Sequence, residues 1–221
     1  MKDKGVTEAV YSSTTSAKED VKYREVYSEI ASALSAFPPE LFKPYLWFVP
    51  SYINEGLTVQ KAFADMPYKG IKLHPLANNW DFADKKHEQC LHETFAFAQE
   101  KGAPILIHSG PNGVDAPDRF ALFFDTYPEA KVTLAHCRPI EEAIAVLKKY
   151  PNVHGDTSFV PEEWIHLLVE NGLGSKIITG SDFPITHYWA THYQNKKNIT
   201  LEEQYQEDIE TMRKFKTLLA A

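Results

Sequence analysis

Two histidines and one aspartate stand where three apolar segments of the sequence end. His108 follows the letters ILI, His136 follows VTLA and Asp182 follows IITGS. Neutral imidazole and carboxylate are usual nitrogen and oxygen ligands of zinc and related divalent ions. A catalytic ion of this kind lowers the pKa of a bound water to about 7. If the three segments are strands that end at one rim, the pattern predicts a hydrolytic metal site held by His108, His136 and Asp182.

A further pair of polar side chains, Lys72 and His74, lies in the segment GIKLHP. Residues two apart on a strand share a face, so Lys72 and His74 are predicted to point the same way. The same rule places His136 on the inner face with Leu134. Cys137 should then face the other side and pack as a small buried hydrophobic residue. We assign Lys72 and His74 to substrate binding.

The segments that carry these residues belong to a series of short apolar runs with the composition of β-strands. Their nearly continuous apolar character is typical of parallel strands covered by helices. The predicted strands are Glu8–Ser13, Tyr45–Ser51, Gly70–Pro75, Pro104–Gly110, Lys131–Cys137, Val153–Ser158 and Ile177–Pro184.

Helical segments alternate with the strands. Predicted helices cover Lys18–Ala36 and Lys85–Lys101, the second ending at Gly102, and Thr200 opens the last helix with a capping-box pattern. Strict alternation predicts an α/β fold with a parallel sheet, either a closed barrel or a doubly wound open sheet. No Gly-rich phosphate motif follows the first strand, which disfavours a nucleotide-binding open sheet. Three prolines are predicted at first helical positions, Pro117, Pro139 and Pro161.

Composition is that of one globular domain over residues 1–221, with 43% hydrophobic and 24% charged residues. A net charge of −7 disfavours nucleic acid and anionic membranes as partners. No apolar run approaches the ~20 residues of a membrane span, and no secretory signal is recognised. Two cysteines are too few for a disulfide framework, so the expected location is cytoplasmic.

Four motifs together resemble the amidohydrolase superfamily, most closely its amidohydrolase-related branch of small metal hydrolases and non-oxidative decarboxylases. They are GIKLHP, ILIHSG, LAHCRP and GSDFP, and the opening stretch GVTEAVYSSTTS resembles the second strand of that family. The resemblance covers almost the whole chain. It implies a TIM-type (β/α)8 barrel that lacks the first strand.

The resemblance implies a role for each site residue. His108 takes the strand-five role of metal ligand, and His136 takes the strand-six role of ligand or orienter of the attacking water. Asp182 takes the strand-eight role, which combines metal contact with removal of a proton from water. Lys72 lies on the strand where some members carry a carboxylated lysine that bridges two metals. A lysine that binds a substrate carboxylate or pairs with a neighbouring charge is the alternative.

The sequence departs from the family pattern because it contains no His-x-His, which the family keeps on strand one. Met1–Gly5 reads as the tail of a helix. We therefore expect the natural protein to continue upstream, or this form to be inactive. Two strands would be left with unpaired edges, which favours a homodimer or aggregation.

A long aromatic connection, Phe183–Lys197, is predicted to follow the last strand. Such a loop can act as a substrate lid, with Trp189 and Arg138 as further substrate-binding residues. Packing at a subunit contact is the alternative. The leading function is hydrolysis of a C–N or C–O bond in a small molecule by a water that a divalent metal, zinc first among them, activates. The alternatives are non-oxidative decarboxylation on the same scaffold and a catalytically inactive barrel fragment.

Overall fold

Parallel strands form one sheet whose order follows the chain. The structure is a computed structural model that describes residues 6–18, 20–38, 40–111 and 113–220. Within those ranges seven strands pair in the order β1 to β7. They are β1 (Ala9–Tyr11), β2 (Phe42–Trp47), β3 (Gly70–Leu73), β4 (Ile105–His108), β5 (Val132–Ala135), β6 (Val153–Asp156) and β7 (Ile177–Ile178).

Helices connect successive strands and pack on the outside of the sheet. The α-helices of the described residues are α1 (Tyr23–Ala36), α2 (Ser51–Asn54), α3 (Val59–Asp65), α4 (Lys85–Lys101), α5 (Ala121–Thr126), α6 (Ile140–Lys149), α7 (Glu162–Glu170), α8 (Ile185–Tyr193) and α9 (Leu201–Leu219). Short 3-10 turns cover Thr14–Ala17, Pro117–Phe120 and Gly174–Lys176. Among the helices that the structure describes, none is long and apolar enough to span a membrane.

Chain-order parallel pairing with helical crossovers is the arrangement of a TIM-type barrel, here one strand short of eight in the described residues. The predicted α/β barrel is confirmed. The terminal strands β1 and β7 each pair on one side, and Val10 and Ile178 are 53% and 52% exposed there. Self-association through these edges stays a prediction, and the predicted helix tail Met1–Gly5 lies outside the described residues.

Strand register separates the two faces of the sheet. Ile71, Ile105, Val132 and Val153 lie side by side on neighbouring strands and are all buried against the helices. The next register row, Lys72, Leu106, Thr133 and His154, points into the interior of the open barrel. Functional side chains near the carboxyl ends of these strands can therefore meet on the inner face.

Local signals account for the boundaries of helices α4 and α9. Asp84 caps α4 by accepting from the backbone N–H of Lys86 and His87, and Gly102 ends the helix in the left-handed conformation at φ 65°. Thr200 and Glu203 form the predicted capping box of α9. Helix α1 begins at Tyr23, five residues after the predicted start at Lys18.

Several predicted boundaries are wrong. Strand β2 begins at Phe42 and ends at Trp47, before the predicted end at Ser51, because Ser51 opens the short helix α2. Pro117 occupies a first helical position as predicted, whereas Pro139 and Pro161 are N-caps, one residue earlier. The predicted aromatic loop Phe183–Lys197 is largely helical, since α8 occupies Ile185–Tyr193.

Candidate metal centre

Two imidazole rings from neighbouring strands face one another at the carboxyl end of the sheet. His108 is the last residue of β4, and His136 directly follows β5. His136 Nε2 lies 3.1 Å from His108 Nδ1, and the two ring centroids are 4.7 Å apart. The structure thus brings together two of the three predicted metal ligands.

His136 reaches this position through a backbone conformation that regular strand alternation does not predict. Leu134 is fully buried and lies in one register row with Ile107 and Gly155, on the helix-facing side. The predicted common inner face of Leu134 and His136 is therefore wrong. His136 has φ 71°, in the left-handed region, so the chain turns at the end of β5 and directs the imidazole towards His108.

A buried carboxylate holds the turn at His136 in place. Asp156 Oδ1 accepts from the backbone N–H of His136 at 2.9 Å, from the backbone N–H of Ser158 at 3.0 Å and from Ser158 Oγ at 2.6 Å. His136 Nδ1 lies 3.0 Å from the Ser158 carbonyl oxygen and 2.9 Å from Ser158 Oγ. Two contacts with Ser158 therefore fix Nδ1 of His136, the ring nitrogen that faces away from His108.

Cys137, the next residue, turns away from the site as predicted. It is fully buried, and its Sγ lies 3.4 Å from the carbonyl oxygen of Asp156. A Cβ at position 155 would lie 2.4 Å from this sulfur, so the close approach of β6 requires Gly155. Cys137 packs in the core.

His108 is enclosed by aromatic rings and one carboxylate. His74 stacks on it at a centroid distance of 3.7 Å, and Trp47 stacks on the other face of His74 at 5.5 Å. His108 Nε2 lies 3.9 Å from Oδ2 of Asp115, a residue that is 1% exposed. Asp115 Oδ1 accepts from the backbone N–H of Leu76 at 2.8 Å.

Burial keeps the three histidines of the site neutral. Desolvation, together with the charges of Lys72 and Arg138, lowers the pKa of His74 and of His136 to about 3. The pKa of His108 is also lowered, mainly by burial and then by His74 and His136. Neutral imidazole keeps a free lone pair, which is the form that binds a metal ion.

Asp182 lies on the loop after β7, in a left-handed conformation with φ 63°. Its side chain is exposed at the open mouth of the barrel. Surrounding protein nevertheless raises its pKa to about 6, chiefly by desolvation, with the negative charge of Asp156 adding to the rise and Lys72 and Arg138 opposing it. A carboxylate with this pKa is ionised at neutral pH and accepts protons more readily than an ordinary aspartate.

Two cationic side chains complete the inner face. Lys72 is 8% exposed, and burial lowers its pKa while Asp182, Asp156 and Asp115 oppose that shift. The Nε atom of Arg138 is buried and has no hydrogen-bond partner among the described residues. The backbone N–H of Arg138 donates to Ser109 Oγ at 3.1 Å, which fixes the chain beside His136.

The facing histidines fit a shared divalent ion. Two nitrogen ligands on one tetrahedral zinc ion lie about 3.4 Å apart, as follows from Zn–N distances of about 2.1 Å. The observed separation of 3.1 Å is close to that value. Within the described ranges, however, no group of three or more His, Cys, Asp or Glu residues is arranged to hold a metal ion. The participation of Asp182 as third ligand therefore stays a prediction.

Trp189 lies at the same mouth, on helix α8. Its ring contacts Phe159 at a centroid distance of 6.0 Å, and Phe159 contacts His136 at 5.8 Å. Trp189 is 44% exposed, so part of the ring is free to contact a ligand. Helix α8 is held against α9, since Thr186 Oγ1 on α8 donates to Asp208 on α9.

Sequence reasoning missed four residues that support the histidines, namely Ser109, Asp115, Asp156 and Ser158. Asp156 and Ser158 stand at the end of a predicted strand, which is the signal that identified His108 and His136. Asp115 lies in an irregular segment between β4 and α5, where no periodic pattern marks it. Its role becomes visible only through its burial beside His108.

Comparisons with known proteins agree with this architecture. No curated protein matches the chain. An uncharacterized TIM-barrel protein from Bordetella bronchiseptica has a similar structure, with a TM-score of 0.57 and 17% identity over 98% of this chain and 81% of that chain. A dihydroorotase from Campylobacter jejuni is 16% identical over 87% of this chain and 70% of that chain, with a TM-score of 0.48.

A comparison with protein-family models identifies the family of the chain. The model of the family described as Amidohydrolase matches residues 10–215, which include every strand from β2 to β7 and all the site residues described above. The match extends over nearly the whole chain and coincides with the barrel fold. The chain belongs to the amidohydrolase family.

Proposed function

We propose that this chain is a metal-dependent hydrolase that acts on a C–N or C–O bond of a small molecule. The observation that carries the proposal is the pair of facing imidazole nitrogens, His108 Nδ1 and His136 Nε2, separated by 3.1 Å. Both rings are neutral, and Ser158, whose hydroxyl donates to Asp156, holds the outer nitrogen of His136. Such outer contacts are what orient histidine ligands in metal sites.

A divalent ion, zinc first among the candidates, would be held by His108 and His136, with Asp182 as the predicted third ligand. When bound, it supplies Lewis acidity that lowers the pKa of a water molecule to about 7. Asp182 would accept a proton from the attacking water at a carboxylate oxygen, a role to which its pKa of about 6 is suited. Charge in the pocket supports a cation, since three aspartates face two cationic side chains.

Lys72, Arg138, His74 and Trp189 bind and orient the substrate in this proposal. Lys72 is a buried cation and Arg138 a partly buried one, so an anionic substrate group, such as a carboxylate, is a suitable partner for them. His74 stacks on His108, and Trp189 lies beside the site through its contact with Phe159, so both side chains lie near the histidine pair. The substrate is therefore held at the inner face and the nucleophile is activated beside it.

Non-oxidative decarboxylation is the second candidate, and the same two cations favour it because they would bind a carboxylate beside the histidines. The reactions differ in product. A decarboxylase releases carbon dioxide and incorporates no water oxygen, whereas a hydrolase incorporates one oxygen atom from water into the cleaved product. Isotope-labelled water with carbon dioxide detection separates the two on the same substrate panel.

The first experiment measures metal content together with turnover of amides, lactones, cyclic imides and aromatic carboxylates. We expect zinc to bind to the wild type, more weakly than to a site with a complete ligand set, and to be lost in His136→Gln. The matched control is His166→Gln, which changes an exposed histidine of α7 and should retain the metal. Equal zinc content in the wild type and in His136→Gln would contradict the assignment, and absence of zinc from all three proteins would favour an inactive barrel.

A further inference from the structure

Asp115 is a buried carboxylate with one oxygen in use and one without a partner. Oδ1 accepts from the backbone N–H of Leu76 at 2.8 Å. Oδ2 has no hydrogen-bond partner among the described residues, although Asp115 is 1% exposed. His108 Nε2 lies 3.9 Å from Oδ2, beyond hydrogen-bond distance. A buried acceptor without a donor is unfavourable, so the placement of Asp115 Oδ2 beside His108 calls for a physical reason.

The protonation of His136 follows from its neighbours. Its Nδ1 lies 3.0 Å from the carbonyl oxygen of Ser158, which can only accept, so Nδ1 carries the proton. The single hydroxyl proton of Ser158 is directed to Asp156 Oδ1 at 2.6 Å, which leaves Oγ to accept from Nδ1 as well. The Nε2 atom of His136 therefore presents a lone pair to His108.

This assignment determines the tautomer of His108 in the ion-free protein. His108 Nδ1 lies 3.1 Å from the lone pair of His136 Nε2, so Nδ1 must carry the proton and donate it. His108 Nε2 then has a lone pair as well, and it faces the lone pairs of Asp115 Oδ2. Two acceptors face each other there, which accounts for the separation of 3.9 Å and for the absence of a hydrogen bond.

We propose that Asp115 is a positioning residue whose Oδ2 would accept a hydrogen bond from Nε2–H of His108 when a metal ion binds, and this inference rests on the proposed metal-dependent function. An ion between the two imidazoles needs a lone pair on His108 Nδ1. The Nδ1–H bond breaks and an Nε2–H bond forms by exchange with water, so His108 carries one proton throughout. Asp115 Oδ2 then accepts a hydrogen bond from Nε2 and stabilises the tautomer that binds the ion.

Asp115→Asn tests this arrangement with little change in volume. The backbone N–H of Leu76 requires an acceptor, so the amide oxygen of the new side chain faces Leu76 and its NH2 group faces His108. An NH2 donor needs a lone pair on Nε2, which locks the proton on Nδ1. We expect zinc affinity to fall by about 10- to 100-fold, the usual cost of losing such an outer contact.

The control is Asp118→Asn, which removes an exposed carboxylate three residues away on the 3-10 turn. Zinc affinity is measured by competition with a chelator, and the His108 tautomer by nitrogen-15 NMR of the ring. In the wild type, zinc should move the proton from Nδ1 to Nε2 and produce a slowly exchanging Hε2 resonance. Asp115→Asn should lose that resonance, and Asp118→Asn should behave as the wild type.

The other possible results separate the role of Asp115 from the proposed function. Equal zinc affinity in the wild type and in Asp115→Asn overturns the role of Asp115 and leaves the proposed function standing. A zinc-loaded wild type whose His108 carries no proton on Nε2 does the same, and this measurement needs no variant to fold. A wild type that binds no zinc overturns the proposed function together with this inference.

Discussion

The two sides of the candidate site are built very differently. His108 and His136 lie at the ends of β4 and β5, each of which pairs with a neighbour on both sides. Asp182 follows β7, a strand of two residues that pairs only with β6. The histidines are enclosed by rings and hydrogen bonds, whereas Asp182 is exposed at the mouth.

This difference suggests that the histidine pair and Asp182 contribute to different properties of the protein. The histidine pair is held rigidly by central strands and by Asp156, so its geometry persists without a ligand. Asp182 depends on a short edge strand and on a left-handed backbone, so its position is set by fewer contacts. We expect the histidine side to determine metal binding and protein stability, and the Asp182 side to determine the rate of the reaction.

Asp182→Asn should separate these two contributions most clearly. Loss of the proton acceptor should lower kcat by about 100-fold or more, in line with removal of a general base. Because His108 and His136 do not depend on β7 for their position, the variant should keep most of its zinc. Steady-state kinetics with metal analysis on the same samples is the measurement, and Asp118→Asn is again the control. Near-normal turnover with full zinc would refute the catalytic role of Asp182.

The variant Asp156→Ala tests how much the contacts that hold His136 contribute to protein stability. Its Oδ1 accepts from the N–H groups of His136 and Ser158 and from Ser158 Oγ, so truncation leaves buried donors without an acceptor. Relief of the buried charge offsets part of this loss. We expect the free energy of unfolding to fall by about 2–3 kcal/mol in urea denaturation. A variant within about 0.5 kcal/mol of the wild type would show that the turn at His136 is held by other contacts.

Urea denaturation of metal-free Asp182→Asn should show a rise in the free energy of unfolding, opposite to the fall expected for Asp156→Ala. The folded pKa of Asp182 is about 6, above the 3.8 of the free side chain. The folded state therefore binds more protons between these values, and stability falls as the pH rises from about 4 to about 6. Removing the charge should stabilise the protein by about 1 kcal/mol at neutral pH, after allowance for solvent at the mouth. A gain that persists at pH ~3, where the carboxylate is mostly protonated in both states, would contradict this cause.

Sequence patterns predicted the strand ends well and the supporting groups poorly. Apolar runs ending in His108, His136 and Asp182 marked the correct edge of the sheet, because parallel strands end at one rim. They gave His136 the wrong face, since a left-handed residue after β5 cannot be read from alternation. Asp115 carried no signal, because its importance arises from a contact between distant parts of the chain.

Helix α8 shows a second limit of sequence reasoning. Its segment begins after Pro184 and is rich in aromatic and β-branched residues, which have modest helix propensity and suggested a loop. Tertiary contacts stabilise the helix instead, among them the hydrogen bond from Thr186 to Asp208 on α9. The correction changes the expected behaviour of Trp189, which belongs to an anchored helix.

Trp189→Ala should therefore have the smallest effect of the changes considered. The ring lies at the mouth and reaches the site only through Phe159, whose ring contacts His136. Losing one aromatic contact with the substrate costs about 0.5–1 kcal/mol, which corresponds to a rise in KM of about two- to fivefold. Zinc affinity and the pH dependence of kcat should not change, because neither the histidine pair nor Asp182 loses a contact. Tyr193→Ala is the matched control, since Tyr193 stacks on Trp189 and is 63% exposed further along α8. If both substitutions left KM unchanged across a substrate panel, α8 would serve packing alone, and substrate contact would fall to Lys72, His74 and Arg138.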